Sequence, residues 1–117
     1  NSRLKDFYDL YVLASLFAFD GLPLARAIRA TFDRRSTPIE LEIPSALTPG
    51  FFGDLRRAAQ WRGYLERSSL PGAPRAFEIV GELLIRFLEP VRASIGRTTA
   101  PPNHWPPSGP WRTESAR

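Results

Sequence analysis

The stretch Arg75–Ile95, RAFEIVGELLIRFLEPVRASI, decides how the rest of the chain is read. Phe77, Val80, Leu84, Phe87, Leu88, Val91 and Ile95 recur at three- and four-residue spacing. That period stacks side chains on one face of an α-helix. It is the cleanest apolar stripe in the chain and predicts a long helix. Pro90 interrupts the pattern, and a proline ring inside a helix predicts a kink or the end of its first half. One long stripe needs other elements to cover it, so the neighbouring sequence decides what kind of core forms.

Working towards the N-terminus, Thr48-Pro49 is a strong helix start, a capping side chain followed by proline in the first turn. A short turn before Gly53 leads to a helix over 54–67 with Leu55, Ala58, Trp61 and Leu65 inward. Leu70-Pro71-Gly72-Ala73-Pro74 is a loop. Upstream, Ser36 to Leu47 reads as an extended connection, because Pro38 and Pro44 bracket the alternating run Ile39-Glu40-Leu41-Glu42-Ile43. It is either an edge strand or an arm strapped across the helices, since prolines at both ends argue against a central strand. A helix over 22–34 carries Leu24, Ile28, Thr31 and Phe32 on one face. The first helix runs over 2–17, with Ser2 as its cap and Leu4, Phe7, Tyr8, Tyr11 and Ala14 as one stripe. Leu10, Leu13, Leu16 and Phe17 add apolar surface elsewhere on its wheel, more than three neighbouring helices easily cover. An exposed patch along Leu10, Leu13 and Phe17 is therefore expected. Gly21 is expected to supply a left-handed turn after that helix.

These elements define an all-α fold, a small bundle of about four helices with one extended connection, over residues 1–95. Residues 96–117 differ. Five of the twelve prolines fall in 101–110. The segment is expected to be a disordered Pro-rich tail, with too little apolar surface to offset its ordering entropy, and His104 in it to be exposed.

The 117 residues contain no cysteine and a single histidine. Disulfides, thiolate metal sites and cysteine nucleophiles are excluded, as is any site needing two imidazoles from this chain. No apolar run approaches the roughly 20 residues of a membrane span. Charges interrupt the N-terminal stretch where a signal peptide would be apolar, so no membrane partner is expected and a cytoplasmic location fits. The formal net charge is +4, with fifteen arginines and one lysine on the basic side. Such arginine use follows from a GC-rich genome and does not by itself indicate nucleic acid. The opening, without an initiator methionine and entering a helix almost at once, reads as a cut inside a longer protein or a mispredicted start.

The one lysine sits in the one cluster that rises above packing, Arg3-Leu4-Lys5-Asp6-Phe7-Tyr8-Asp9. At about 100° per residue, Lys5, Asp6 and Asp9 share an arc of roughly 100°. Two readings stand. The cluster is a solvated face laced with ion pairs, or it lies at the mouth of a cleft. The second is favoured by the next residues down the same arc, Val12, Leu13 and Leu16, which make no simple water face. Carboxylates at a helix N-terminus stay ionised. Beside a lysine they suit phosphate chemistry, the lysine offsetting developing negative charge while a carboxylate orients it or accepts a proton.

Residues 1–10 resemble the R-x-K-D-x-Y-D motif of the AbiEii/AbiGii toxin family, nucleotidyltransferases of type IV toxin–antitoxin and phage-abortive systems. Phe17–Gly21, Ala27–Arg35 with Thr37-Pro38, and Gln60-Trp61 are also similar to it, so that the likeness covers about residues 1–93. The resemblance implies an enzyme in two parts. An α/β nucleotidyltransferase domain holds Mg²⁺ and a nucleoside triphosphate (NTP) through a glycine-containing loop and a D-x-D-like pair. A helical part contributes the motif to the cleft. It implies Asp6 and Lys5 as catalytic residues and Arg3 and Asp9 as nucleotide-binding neighbours. Tyr8 falls at an aromatic position equally suited to the core.

This chain departs from that pattern in having no such loop and no D-x-D. Glu40 and Glu42 have the spacing but come after the motif. The expectation is therefore a helical C-terminal fragment of a larger α/β + α enzyme, inactive alone and binding neither Mg²⁺ nor NTP tightly. The implied partners are the missing N-terminal domain, a cognate antitoxin and an RNA acceptor such as transfer RNA. The alternative is a non-catalytic helical module, a truncated remnant that binds protein or RNA. A helix-turn-helix reading is weak, because no tight turn joins two helices with a basic recognition face.

Overall fold

The computed structural model describes residues 2–34 and 48–112, without the side chains of Ser2, Arg3 and Phe32. The expected extended connection at 36–47 and the capping side chain of Ser2 fall outside the described residues. In chain order the elements are α1 (Ser2–Leu16), β1 (Phe19–Asp20), α2 (Gly21–Arg34), α3 (Pro49–Phe52), α4 (Leu55–Ser68), α5 (Phe77–Gly96) and β2 (His104–Trp105). The all-α architecture is as the periodicity requires. The fifth helix is the one-turn α3, which is the turn that Thr48-Pro49 marks before Gly53.

The α5 stripe is the spine. Phe77, Val80, Leu84, Phe87 and Val91 are buried, and α1, α2, α3 and α4 all pack on this helix. Pro90 lies inside it without ending it. Burial of a large apolar side chain is worth about 1.5–3 kcal/mol, so the stripe overrides the single hydrogen bond that Pro90 removes.

Two clusters divide the core. The first joins Leu4, Phe52, Trp61, Leu65, Phe77, Val80 and Leu84, with Phe7, Tyr8 and Phe51 against it. Its rings meet mostly edge-on, Phe52 lying 4.8 Å from Phe77 and Phe7 5.6 Å from each of them, the arrangement that ring quadrupoles favour. Phe52 packs directly on the α5 backbone, because Gly81 leaves the space: a Cβ there would lie 2.1 Å from Phe52 Cγ. Leu55, expected inward, is 86% exposed, since Phe51 and Phe52 already fill that end of the core.

The second cluster joins Ala14, Leu83, Phe87 and Trp105, with Phe19, Leu24 and Trp111 against it. Here the structure corrects the expectation of a disordered tail. Residues 101–112 form a strap closed on the helices, and Trp105 is fully buried. Phe19 pairs with Trp105 and Asp20 with His104 in a short antiparallel ladder. Arg112 N–H donates back to His104 O at 2.8 Å, folding the strap on itself. The strap satisfies groups the helices leave open. A helix end orphans its last carbonyls, and Ala14 O accepts from the Trp105 indole (2.8 Å) and from Ser108 N–H (2.8 Å). Ser108 Oγ donates to Ser15 O at 3.2 Å. The Trp111 indole donates to Phe87 O at 2.8 Å, one residue beyond the Arg86 carbonyl that Pro90 leaves without an N–H.

His104 is correspondingly not free. Its Nδ1 lies 3.0 Å from Asp20 Oδ1. Gly21 has a reason other than the expected left-handed turn: its N–H donates to Asn103 O at 2.9 Å, and a Cβ would lie 1.7 Å from Pro102 O. The glycine is there for close approach of the strap, since any side chain would collide with its backbone.

Candidate functional site

The candidate site is the outward face of α1. Leu4, Phe7, Tyr8, Tyr11 and Ala14 turn to the core, which sends Lys5, Asp6 and Asp9 outward together. Tyr8 belongs to the core side, packed on the first cluster, with its hydroxyl donating to Pro71 O at 2.7 Å. That bond ties the motif helix to the loop between α4 and α5.

Lys5 Nζ meets Asp9 Oδ2 at 2.6 Å, with side chains 66% and 47% exposed. The Asp9 carboxylate, by hydrogen bond first and charge second, holds the Lys5 ammonium above its ordinary value of 10.5. The lysine is thereby kept cationic and pointed along the helix. Tyr64 of α4 packs on the same core cluster as Phe7 and Tyr8. Asp6 is exposed, and no hydrogen bond or ion pair engages it among the described residues. Arg3 lies in the first turn of α1, its side chain outside the described residues.

The face continues down α1 as apolar surface. Leu13, Leu16 and Phe17 are 42%, 66% and 53% exposed. The expected patch is thus present at Leu13 and Phe17, with Leu16 added, whereas Leu10 packs against the first cluster. One helix face therefore carries a paired lysine, a free carboxylate and then three large apolar residues that the described residues leave uncovered.

Divalent-metal chemistry does not fit these residues by themselves. No three His, Cys, Asp or Glu come together as a metal site among the described residues. The Asp6 and Asp9 carboxylates are one helical turn apart, and Asp9 is engaged by Lys5. No described helix is long and apolar enough to cross a membrane.

The described residues thus form a helical bundle with a Lys-Asp-x-x-Asp turn exposed beside an uncovered apolar strip. The comparisons with known proteins agree with the motif. A family model described as nucleotidyl transferase AbiEii toxin, type IV toxin–antitoxin system, matches residues 1–82. That is most of the chain, and the chain belongs to this family. No curated protein and no solved structure matches it. The family is one half of a toxin–antitoxin system, so a cognate antitoxin is the partner its membership indicates. The strap at 101–112 lies beyond the matched residues.

Sequence reasoning missed Tyr64 and the strap. Only the folded core, where Tyr64 packs on the same cluster as Leu4, Phe7 and Tyr8, brings it to the side of the motif helix. The signal for the strap was present: Trp105 and Trp111 are large apolar side chains that a solvated tail has no use for.

Proposed function

We propose that this chain is the helical part of a nucleotidyltransferase and that the outward face of α1 is one wall of its cleft. The reaction moves a nucleotidyl group from an NTP to an acceptor hydroxyl, with an RNA end as acceptor. The acceptor oxygen bonds to the α-phosphorus. The bond from that phosphorus to the bridging oxygen breaks, and pyrophosphate leaves with the electron pair. The hydroxyl proton passes to a carboxylate.

In this reading Asp6 takes the proton, being the carboxylate of the cluster that nothing engages. Lys5 offsets negative charge developing on the phosphate oxygens, and Asp9 keeps it charged and aimed. Arg3 contacts the nucleotide phosphates, and Asp9 is its nucleotide-binding neighbour in the motif. Mg²⁺ supplies charge neutralisation in such chemistry. The described residues do not form a site for it, so the metal and triphosphate are assigned to an α/β part outside these 117 residues. By itself the chain then binds neither tightly and transfers nothing. The cytoplasm, where NTPs and RNA meet, is the compartment this reading requires, and no membrane takes part.

The observation that carries the proposal is the continuity of Lys5, Asp6 and Asp9 with uncovered Leu13, Leu16 and Phe17 on one face. Water solvates an ion pair without help, but leaving three large apolar side chains in water is costly. The test is incorporation of each labelled nucleotide into RNA by the purified chain with Mg²⁺, beside a longer protein in which an α/β domain precedes Asn1. No incorporation by the chain and robust incorporation by the longer protein, abolished by Asp6→Asn, is the expected result. Robust incorporation by the chain alone overturns it.

A second reading is a non-catalytic helical module that binds protein or RNA. The solvent exposure of the Lys5–Asp9 pair favours it, since exposed pairs are common and weak. The coding DNA just upstream separates the two. An in-frame extension with a glycine-rich loop and paired aspartates supports the enzyme, and a stop codon supports the module.

A further inference from the structure

Arginines are scattered through the sequence, but α4 gathers them on one side. At about 100° per residue, Arg56, Gln60, Gly63 and Arg67 share an arc of roughly 60°, flanked by Tyr64 and Arg57. Arg56, Gln60 and Arg67 are exposed, and no hydrogen bond or ion pair engages their side chains among the described residues. No carboxylate of α4 lies on this arc. The two nearest are already used: Asp54 caps the helix by accepting from Arg57 N–H at 3.0 Å, and Glu66 accepts from Arg75 at 2.7 Å.

The geometry of the stripe is set rather than incidental. Arg57 is anchored at its edge, with the guanidinium 4.2 Å over the Phe51 ring. Gly63 leaves a shallow place in which Arg67 lies back along the helix, and a Cβ there would be 2.9 Å from Arg67 Nη1. Tyr64 borders the stripe and packs on the same core cluster as Leu4, Phe7 and Tyr8 of the motif helix. The stripe therefore borders the part of the bundle that carries the proposed cleft wall. The arginines of α2 are different: Arg29 shares its face with Asp33 one turn on.

We infer that the outer face of α4 is a track for a phosphodiester backbone, with successive phosphates of a nucleic-acid strand on Arg56, Gln60 and Arg67. At about 1.5 Å of rise per residue, Arg56 and the turn at Gly63, over which the Arg67 guanidinium lies, stand roughly 10 Å apart. That length spans about three stacked nucleotides at roughly 3.4 Å per charge of one strand. Two guanidiniums supply charge-assisted contacts, and the Gln60 amide fills the gap between them. Tyr64, half-buried at the end of the track, offers a ring edge to an unstacked base. The inference rests on the proposed function in one respect: the strand held here is the acceptor, led towards Lys5 and Asp6. The binding itself needs no catalysis.

The test is fluorescence anisotropy of a short labelled single-stranded RNA titrated with the purified chain over a range of salt. Arg56→Ala with Arg67→Ala is set against Arg26→Ala with Arg29→Ala, which removes the same charge from α2. All four sites are exposed on helices, where alanine is a good helix former, and circular dichroism checks the fold. The α4 pair is expected to weaken binding roughly tenfold and to flatten the salt dependence by about 0.7 per lost contact. The α2 pair is expected to leave both almost unchanged, and poly-glutamate to compete poorly. No RNA binding by the chain, equal losses from both pairs, or full competition by poly-glutamate (a surface for acidic protein) would each overturn the inference. Asp6→Asn distinguishes it from the proposed function, since it should abolish transfer by the longer protein and leave RNA binding by the chain intact.

Discussion

At the scale of single residues, the same ion pair serves two purposes that titration separates. Lys5 is held above 10.5 by Asp9. A raised value in the folded state means that the pair stabilises the fold below the ordinary lysine value, and that this contribution is lost as pH rises through the raised one. Glu66, lowered from 4.5 chiefly by its hydrogen bond from Arg75, behaves in the opposite sense. Its contribution is present above 4.5 and is lost as pH falls through the lowered value. Both pairs lie at the surface, so their effect on stability is small, and the local titration is the sensitive readout. Asp9→Asn should return the Lys5 midpoint towards its ordinary value in a side-chain NMR titration, while Glu66→Gln leaves it unmoved. An unchanged midpoint in Asp9→Asn means that the pair does not form in solution.

At the scale of elements, the strap holds α1 from the end opposite its motif. Trp105 does this with a ring buried among Ala14, Leu83 and Phe87 and an indole N–H on Ala14 O. Trp105→Ala removes that packing and leaves a helix-end carbonyl with one donor fewer. The expected cost is about 3–5 kcal/mol, read as a lower urea midpoint. Amide exchange should also accelerate at Phe17 and Gly21, whose N–H groups are bonded beside the strap. If Trp105→Ala leaves exchange at these sites unchanged, the strap does not dock. The long stripe of α5 and the Thr48-Pro49 start could be read directly, because helical periodicity and capping are local. Leu55 could not. Its spacing fits the apolar face of α4, and only the prior occupation of that corner by Phe51 and Phe52 sends it into solvent.

At the scale of the whole molecule, the uncovered strip governs how the chain behaves alone. Leu16→Glu with Phe17→Lys adds charge where the side chains are already more than half in water. Those changes should raise solubility and lower the fluorescence of a bound apolar dye, with the thermal midpoint within about 3 °C of the parent, as for surface substitutions generally. A large fall in midpoint would show that the strip is covered in solution.

The candidate site was legible because its parts are sequential. Lys5, Asp6 and Asp9 lie within two helical turns, so periodicity alone brings them to one face, and the motif names the family. The helical class arose in the same way, from apolar residues whose spacing needs no knowledge of distant chain. Folding was needed for everything that joins remote segments: Trp105 beneath the end of α1, Gly21 against Pro102, Tyr64 on the cluster that holds Phe7 and Tyr8, and Leu16 left without a cover. A residue's period is written in its near neighbours. Whether its outer side meets protein or water depends on which surfaces compete for it, and that competition is settled only when the whole chain has packed.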